Sequence, residues 1–134
     1  MNCILSEIIM AHIRGIGGVF FKSKNPKELQ QWYQEKLGLK PDEAGYIYFM
    51  WEDLKSPGYT LWAPFPQETK YFEPSQAESM INFVVSDIDE FVEELRAKGV
   101  EVDERGVEAS EQGKFAWCMD PEGNRIEFWE PKRE

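Results

Sequence analysis

The feature that most constrains the fold of this chain is an internal repeat. An amphipathic helix pattern begins at Asn25, and a similar one begins at Asp87, 62 positions later. Each has a residue suited to capping, an acidic residue at the third helical position and one apolar stripe, and each ends at a glycine, Gly38 or Gly99. Two copies at this interval predict a duplicated module, because a solenoid needs at least three.

Strand-like segments stand at matching places around the two helices. Apolar and β-branched residues between turn signals mark them at 18–22, 46–51 and 59–63 in the first half, and at 80–85, 100–103, 114–119 and 125–130 in the second. The order is β-α-β-β-β, twice, although the first strand after the first helix, near Leu39, is only weakly signalled. The mostly polar stretch 64–78 holds three prolines and is interpreted as the joint between the halves.

Length and composition favour one compact domain. The chain has 134 residues, of which 42% are hydrophobic and 30% charged, as is typical of a globular protein. We predict a single α+β domain over residues 13–131, with module one at about 13–66 and module two at about 78–131. Residues 1–12 are interpreted as an extension in which Met10 is a candidate start.

The charge and the cysteines narrow the partners and the compartment. A net charge of -10 argues against nucleic acid and anionic membrane surfaces, which bind clustered Lys and Arg, and favours a neutral or cationic small molecule. Cys3 and Cys118 make neither a disulfide framework nor a zinc motif, and Cys118 is typical of a core residue. The first residues lack a basic start and a cleavage site, so we expect a cytoplasmic protein.

Two stretches give this pattern a family resemblance. The start of the second module at 79–102 (SMINFVVSDIDEFVEELRAKGVEV) and the closing turn and strand at 120–131 (DPEGNRIEFWEP) resemble the vicinal oxygen chelate superfamily. That group contains glyoxalase I, extradiol dioxygenases, fosfomycin-resistance transferases, methylmalonyl-CoA epimerase and bleomycin-resistance proteins. The D-P-E-G-N turn before a strand with a glutamate is the most specific part. Since one fold hosts several chemistries, the resemblance identifies the superfamily better than the activity.

The resemblance implies an architecture and an assembly. Two βαβββ modules would form a mixed sheet that curls around a U-shaped cavity, with the helices outside. Members of the family often complete such cavities by pairing or swapping modules between chains, so we expect a homodimer.

The resemblance also implies where a metal would be bound. Enzymatic members hold a divalent ion with His, Glu or Gln from the first and last strand of each module. Carried over by position, those four places are Gly18, Trp62, Met80 and Glu127. Glu127 alone among them can bind a hard or borderline ion, and the single histidine, His12, lies six residues before the first place. No metal or other cofactor is therefore expected.

Side-chain alternation predicts what replaces the metal. In the last strand Arg125, Glu127 and Trp129 share one face, while Ile126 and Phe128 share the other, beneath the helices. A tryptophan is rare on a solvent-facing strand, so this face indicates a partly enclosed aromatic cleft.

The predicted site admits two functions and a structural alternative. The candidate ligand-binding residues are Trp62, Met80, Asn82, Arg125, Glu127 and Trp129. The first hypothesis is a protein that binds a small aromatic or cationic molecule, as bleomycin-resistance proteins do. The second is a lyase, isomerase or dioxygenase relative that uses Glu127 as acid/base or as a ligand to a metal completed elsewhere. Alternatively, Trp62, Met80 and Trp129 fill a closed core or a dimer interface, and Glu127 is an ion-pair partner of Arg125 or of another basic residue.

Overall fold

The computed structural model describes residues 11–54 and 58–132, so the predicted start at Met10 lies outside the described residues. The elements are helix α1 (Pro26–Leu37), a 3-10 turn (Trp51–Asp53), β1 (Ile81–Val84), α2 (Ile88–Ala97), β2 (Glu108–Ser110), β3 (Gly113–Met119) and β4 (Arg125–Pro131). Within these described ranges, no helix is both long enough and apolar enough to cross a membrane.

The second half folds into one four-stranded mixed sheet in the order β1-β4-β3-β2. β1 runs parallel to β4, and the other two pairs are antiparallel. The predictions of β1, β3 and β4 are confirmed to within two residues. The predicted strand 100–103 contributes only one bridge, between Val102 and Cys118, and β2 was missed because its Glu-Ala-Ser sequence carries no strand signal.

Both predicted helices are confirmed, but they are capped differently. The side chain of Asn25 accepts a hydrogen bond from the Glu28 N–H at 3.3 Å, as expected at an N-cap. Asp87 has a left-handed backbone, with φ of 51°, and its side chain makes no capping bond. Instead the Glu130 carboxylate, reaching across from β4, accepts from the Ile88 N–H at 2.7 Å. The expected local cap of α2 was therefore wrong, and a tertiary contact replaces it.

The core lies between the two helices and one face of the sheet. It is built from apolar residues of α1, α2, β3 and β4 and of the loop after α2, namely Leu29, Tyr33, Leu37, Ile88, Val92, Leu95, Val100, Ala116, Cys118, Ile126 and Phe128. Ile126 and Phe128 are each 1% exposed, so their predicted place beneath the helices is confirmed. Burial raises the pKa of the Cys118 thiol to about 12, which fits a core residue and not a nucleophile.

The internal repeat has a structural counterpart where the helices end. The Lys36 ammonium donates to the Lys98 carbonyl at 2.8 Å, and the Lys98 ammonium donates back to the Lys36 carbonyl at 3.5 Å. The two lysines are separated by 62 residues, which is the repeat interval. The helix ends thus face each other as equivalent partners.

The D-P-E-G-N turn joins the two halves. The Glu122 carboxylate accepts hydrogen bonds from the Ser23 hydroxyl at 2.8 Å, the Lys24 N–H at 3.1 Å and the Asn25 N–H at 3.0 Å. The Ser23 bond is the largest of the contributions that lower the pKa of Glu122. The beginning of α1 is therefore held by the turn that precedes β4.

The first half differs from its prediction in one respect. The described residues of 18–22, 46–51 and 59–63 form no regular strands. Large apolar side chains there are exposed, including Val19, Phe20, Phe21, Tyr46, Tyr48, Phe49, Met50, Tyr59, Leu61 and Trp62. A strand needs a neighbour to satisfy its backbone groups, and among residues 11–54 and 58–132 these segments pair with no strand. The sheet formed by the described residues is therefore open, and the predicted closure around a cavity is not seen in it.

Candidate functional site

Strand register collects the candidate residues on the sheet face opposite the helices. Glu127 of β4 lies between Asn82 of β1 and Trp117 of β3. The next row on the same face places Trp129 between Val84 and Phe115. We call this surface, defined by Asn82, Val84, Phe115, Trp117, Arg125, Glu127 and Trp129, the open face.

Glu127 is the buried carboxylate at the centre of the open face, with 7% of its surface exposed. One oxygen accepts from the Asn82 side-chain amide at 2.6 Å, and the other accepts from the Trp117 indole N–H at 2.9 Å and from the Tyr71 hydroxyl. Three donors satisfy a buried carboxylate and favour its role as a fixed hydrogen-bond acceptor.

Arg125 does not pair with Glu127. Its guanidinium is 3% exposed and donates to Asp103 at 3.1 Å, so the suggested ion pair between neighbours on β4 was wrong. Burial opposes ionisation of Asp103, but hydrogen bonds from Arg105 and Arg125 outweigh it and lower its pKa to about 2. The Arg125 Nε is buried without a hydrogen-bond partner among the described residues.

Arg105 lies beside Asp103 and Arg125, and we call these three residues the charged corner of the open face. The Arg105 guanidinium carbon lies 4.3 Å from the centre of the Trp117 ring, and that of Arg125 lies 5.3 Å from the same centre. Arg105 also pairs with Asp103 at 3.2 Å, so one carboxylate serves two guanidinium groups. Sequence reasoning missed Asp103 and Arg105, because nothing in their spacing points to a tryptophan on another strand.

Tyr71 is a further residue that sequence reasoning missed. It lies in the joint, and its ring meets Trp117 edge-on at 6.3 Å and stacks on Phe65 at 5.6 Å. Burial, followed by the hydrogen bond to Glu127, raises the pKa of Tyr71 to about 12. A second bond, from the Ser75 hydroxyl to the Gly123 carbonyl at 2.6 Å, holds the joint against module two. The adjacent Tyr71 and Phe72 within a polar stretch were the available signal.

Aromatic rings continue the open face beyond Glu127. The Phe115 ring is nearly parallel to those of Trp117 and Trp129, at interplanar angles of 15° and 12° and centroid distances of 6.4 and 6.2 Å. Tyr59 reaches the Trp129 ring at 5.5 Å from the first half of the chain. The face therefore carries a row of nearly parallel aromatic rings, with charged groups at one end.

The remaining predicted residues lie at different distances from this cluster. Asn82 is part of it, and Met80 is half-buried directly before β1. Trp62 is 79% exposed in the extended first half, so one chain does not bring it into the Glu127 cluster. Its predicted role in ligand binding stays a prediction.

The fold and this face define a class of protein, and sequence comparison identifies the family. The order of β1, α2, β2, β3 and β4 is that of a βαβββ module. A model of the Glyoxalase/Bleomycin resistance protein/Dioxygenase superfamily matches residues 15–128, so the chain belongs to that superfamily and the resemblance is confirmed. No match was found among curated protein sequences.

Several solved structures are similar to the chain. A glyoxalase family protein from Bacillus anthracis is 27% identical, with 79% of this chain and 84% of that chain covered and a TM-score of 0.47. TnmS3, an antibiotic binding protein from Streptomyces sp. CB03234, is 17% identical over 92% and 98%, with a TM-score of 0.54. SMU.1112c is 18% identical over 89% and 100%, with a TM-score of 0.57. At these identities the last two show a shared fold.

The residues at the family's metal positions do not fit a divalent ion. In residues 11–54 and 58–132 no group of three or more His, Cys, Asp or Glu side chains could hold one. Glu127 already accepts three hydrogen bonds, and Gly18, Trp62 and Met80 supply no hard ligand. No catalytic step through a metal is therefore derived for this site.

Proposed function

We propose that the protein binds a small molecule, aromatic or cationic, against the open face, without a metal or another cofactor, and that a second copy of the chain completes the cleft. The observation that carries this proposal is the open face itself, where parallel aromatic rings surround a buried carboxylate on the side of the sheet away from the core. Apolar surfaces with a few fixed polar groups are typical of small-ligand sites.

The contacts of Glu127 favour binding over acid/base chemistry. A general base needs a mobile carboxylate with a lone pair directed at a substrate proton, whereas three protein donors fix the Glu127 carboxylate and fill three of its roughly four acceptor positions. The oxygen that accepts only from Asn82 retains one position, through which a fixed carboxylate can accept a hydrogen bond from a ligand. We therefore place Glu127 in ligand recognition.

The surface area supports a homodimer. A folded monomer of 15.7 kDa exposes about 7,300 Å², whereas this chain exposes 11,233 Å². Obligate dimers bury roughly 2,000–5,000 Å² in total, so covering even half of the excess would suffice. Most of the exposed large apolar residues lie in the first half, and among the described residues β1 has an unpaired edge where an extended segment can add as a strand. A second copy supplies such segments, and with them the missing wall.

The net charge and the buried cysteine support a proposal for the localisation and for the class of partner. We propose a cytoplasmic protein whose partners are a small molecule and its own second copy, not nucleic acid or a membrane surface. Support comes from the net charge of -10 and from the buried, unreactive thiol of Cys118.

Tryptophan fluorescence tests the binding proposal directly. Protein dialysed against a chelator is titrated with three probes that share one ring system: 2-naphthoate, 2-naphthalenemethanol and 2-naphthylmethylammonium. At least one probe should quench the emission saturably, and Trp129→Leu should weaken its binding about tenfold or more. Trp32→Phe, a change in α1 away from the open face, is the matched control and should leave the affinity unchanged. If none of the probes binds, the proposed function is wrong.

A further inference from the structure

We infer that Arg105 sets the charge preference of the open face, and that its ligand is a planar aromatic compound bearing an acidic group. This inference rests on the proposed function and chooses between the two ligand chemistries that it allows. Three observations carry it: the position of Arg105 over Trp117, the charges around Asp103 and the rings beside them.

The first observation is that the protein's own cation occupies the aromatic site a ligand cation would seek. A guanidinium 4.3 Å from the centre of an indole ring is a cation–π contact, and the second guanidinium lies 5.3 Å from that centre. Trp117 is 3% exposed, so no free ring surface remains there. A cationic ligand would have to displace Arg105 or lie close to two like charges.

The second observation is an excess of donors at this corner. Arg105 and Arg125 share the single carboxylate of Asp103, and the buried Arg125 Nε has no acceptor among residues 11–54 and 58–132. Glu108 lies 3.9 Å from Arg105, but its side chain is 47% exposed and screened by water. Glu127 accepts hydrogen bonds from three neutral donors, and among the described residues it forms no ion pair with either guanidinium. What the corner lacks is an acceptor, which a ligand carboxylate supplies.

The third observation places that acid next to a row of aromatic rings. The Phe115 ring is nearly parallel to the Trp117 ring, with its centre 6.4 Å away, and Phe115 is only half-buried. A ligand ring that packs against Phe115 therefore lies beside Trp117 and the Arg105 guanidinium over it. A guanidinium presents two parallel N–H groups to a carboxylate, so a planar acid satisfies both parts of the surface.

Because the net charge is negative, a preference for an acid would identify the local guanidinium groups as its cause. A chain with a charge of -10 repels anions at long range. Tighter binding of an acid than of a cation with the same ring would therefore report the local guanidinium groups and not the overall field.

The three naphthalene probes test the inference by calorimetry or fluorescence at constant ionic strength. Wild-type protein should bind 2-naphthoate at least tenfold more tightly than 2-naphthylmethylammonium. Arg105→Gln should abolish that ratio by weakening the binding of the acid and strengthening that of the cation relative to 2-naphthalenemethanol. Arg96→Gln is the matched control, because Arg96 is exposed on α2 and pairs with Glu93. It should leave all three affinities unchanged.

The outcomes separate this inference from the proposed function. If wild-type protein prefers the cation, or if Arg105→Gln leaves the acid-to-cation ratio unchanged, the inference is overturned while small-molecule binding stands. If no probe binds, the proposed function fails and the inference fails with it. Circular dichroism of Arg105→Gln confirms that a lost preference is not a lost fold, which is expected because the Arg105 side chain is 44% exposed.

Discussion

The two halves of this chain carry the same pattern of helix and strands, yet one chain completes only one of them. Module two forms a four-stranded sheet with its apolar face buried under α2, whereas the described strand segments of module one stay unpaired around a helix that packs on module two. A helix satisfies its hydrogen bonds within its own residues, but a strand needs a neighbour. The comparison teaches that the repeated sequence pattern specifies a helix in both halves. Only the strands of module two find neighbouring strands to pair with among the described residues.

The largest expected effect comes from the completed half. Phe128→Ala should lower the free energy of unfolding by about 3–5 kcal/mol, because it leaves a cavity between the sheet and α2. Urea denaturation followed by circular dichroism measures the loss. A loss below about 1 kcal/mol would mean that module two is not the packed unit described above.

A substitution in module one should change the dimerisation of the protein. Wild-type protein should sediment at twice 15.7 kDa. Phe20→Glu places a charge on a side chain that is 97% exposed in one chain, so it should weaken dimerisation by about 100-fold if a second copy buries that side chain. Analytical ultracentrifugation over a concentration series gives both constants, and Glu101→Gln, an exposed change in module two, is the control. A monomeric wild-type protein would remove the explanation offered for the difference between the halves.

A substitution of Asp103 tests the ion pairs at the charged corner of the open face. Asp103→Asn should cost about 2 kcal/mol, because the buried Arg125 guanidinium loses its partner. The pKa of Asp103 is about 2 in the folded state, below its ordinary value of 3.8, so its contribution is present at neutral pH and is lost as the pH falls from about 4 towards 2. The stability difference between wild type and variant should close over that interval, and a constant difference would contradict the ion pair.

The smallest expected effect concerns the joint. Tyr71→Phe should cost about 1 kcal/mol by removing the hydroxyl that donates to Glu127. Because the pKa of Tyr71 is raised from 10.0 to about 12, this contribution is present below pH 10 and disappears as the pH rises through 12. Urea midpoints at pH 7 and pH 11.5 measure the change. Equal midpoints for both proteins at pH 7 would show that the joint is not held there.

Sequence patterns predicted the parts of the fold that depend on neighbouring residues. Both helices, the D-P-E-G-N turn and the face shared by Arg125, Glu127 and Trp129 follow from periodicity and alternation. The partners of those side chains did not follow. Tyr71 lies 56 residues from Glu127, and the Asp103–Arg125 pair joins two different elements. Such contacts are set by how the elements pack, which a single sequence does not show.

The hydrogen bonds that Glu122 accepts from the residues before α1 have a consequence for protein synthesis. They join positions 97 to 99 residues apart, so the first helix leaves the ribosome long before its docking surface exists. Throughout that interval the apolar stripe of the helix stays bare. The nascent chain therefore exposes this apolar stripe to chaperones until β4 has been translated. A truncation that removes the D-P-E-G-N turn and β4 would leave α1 without the surface on which it packs.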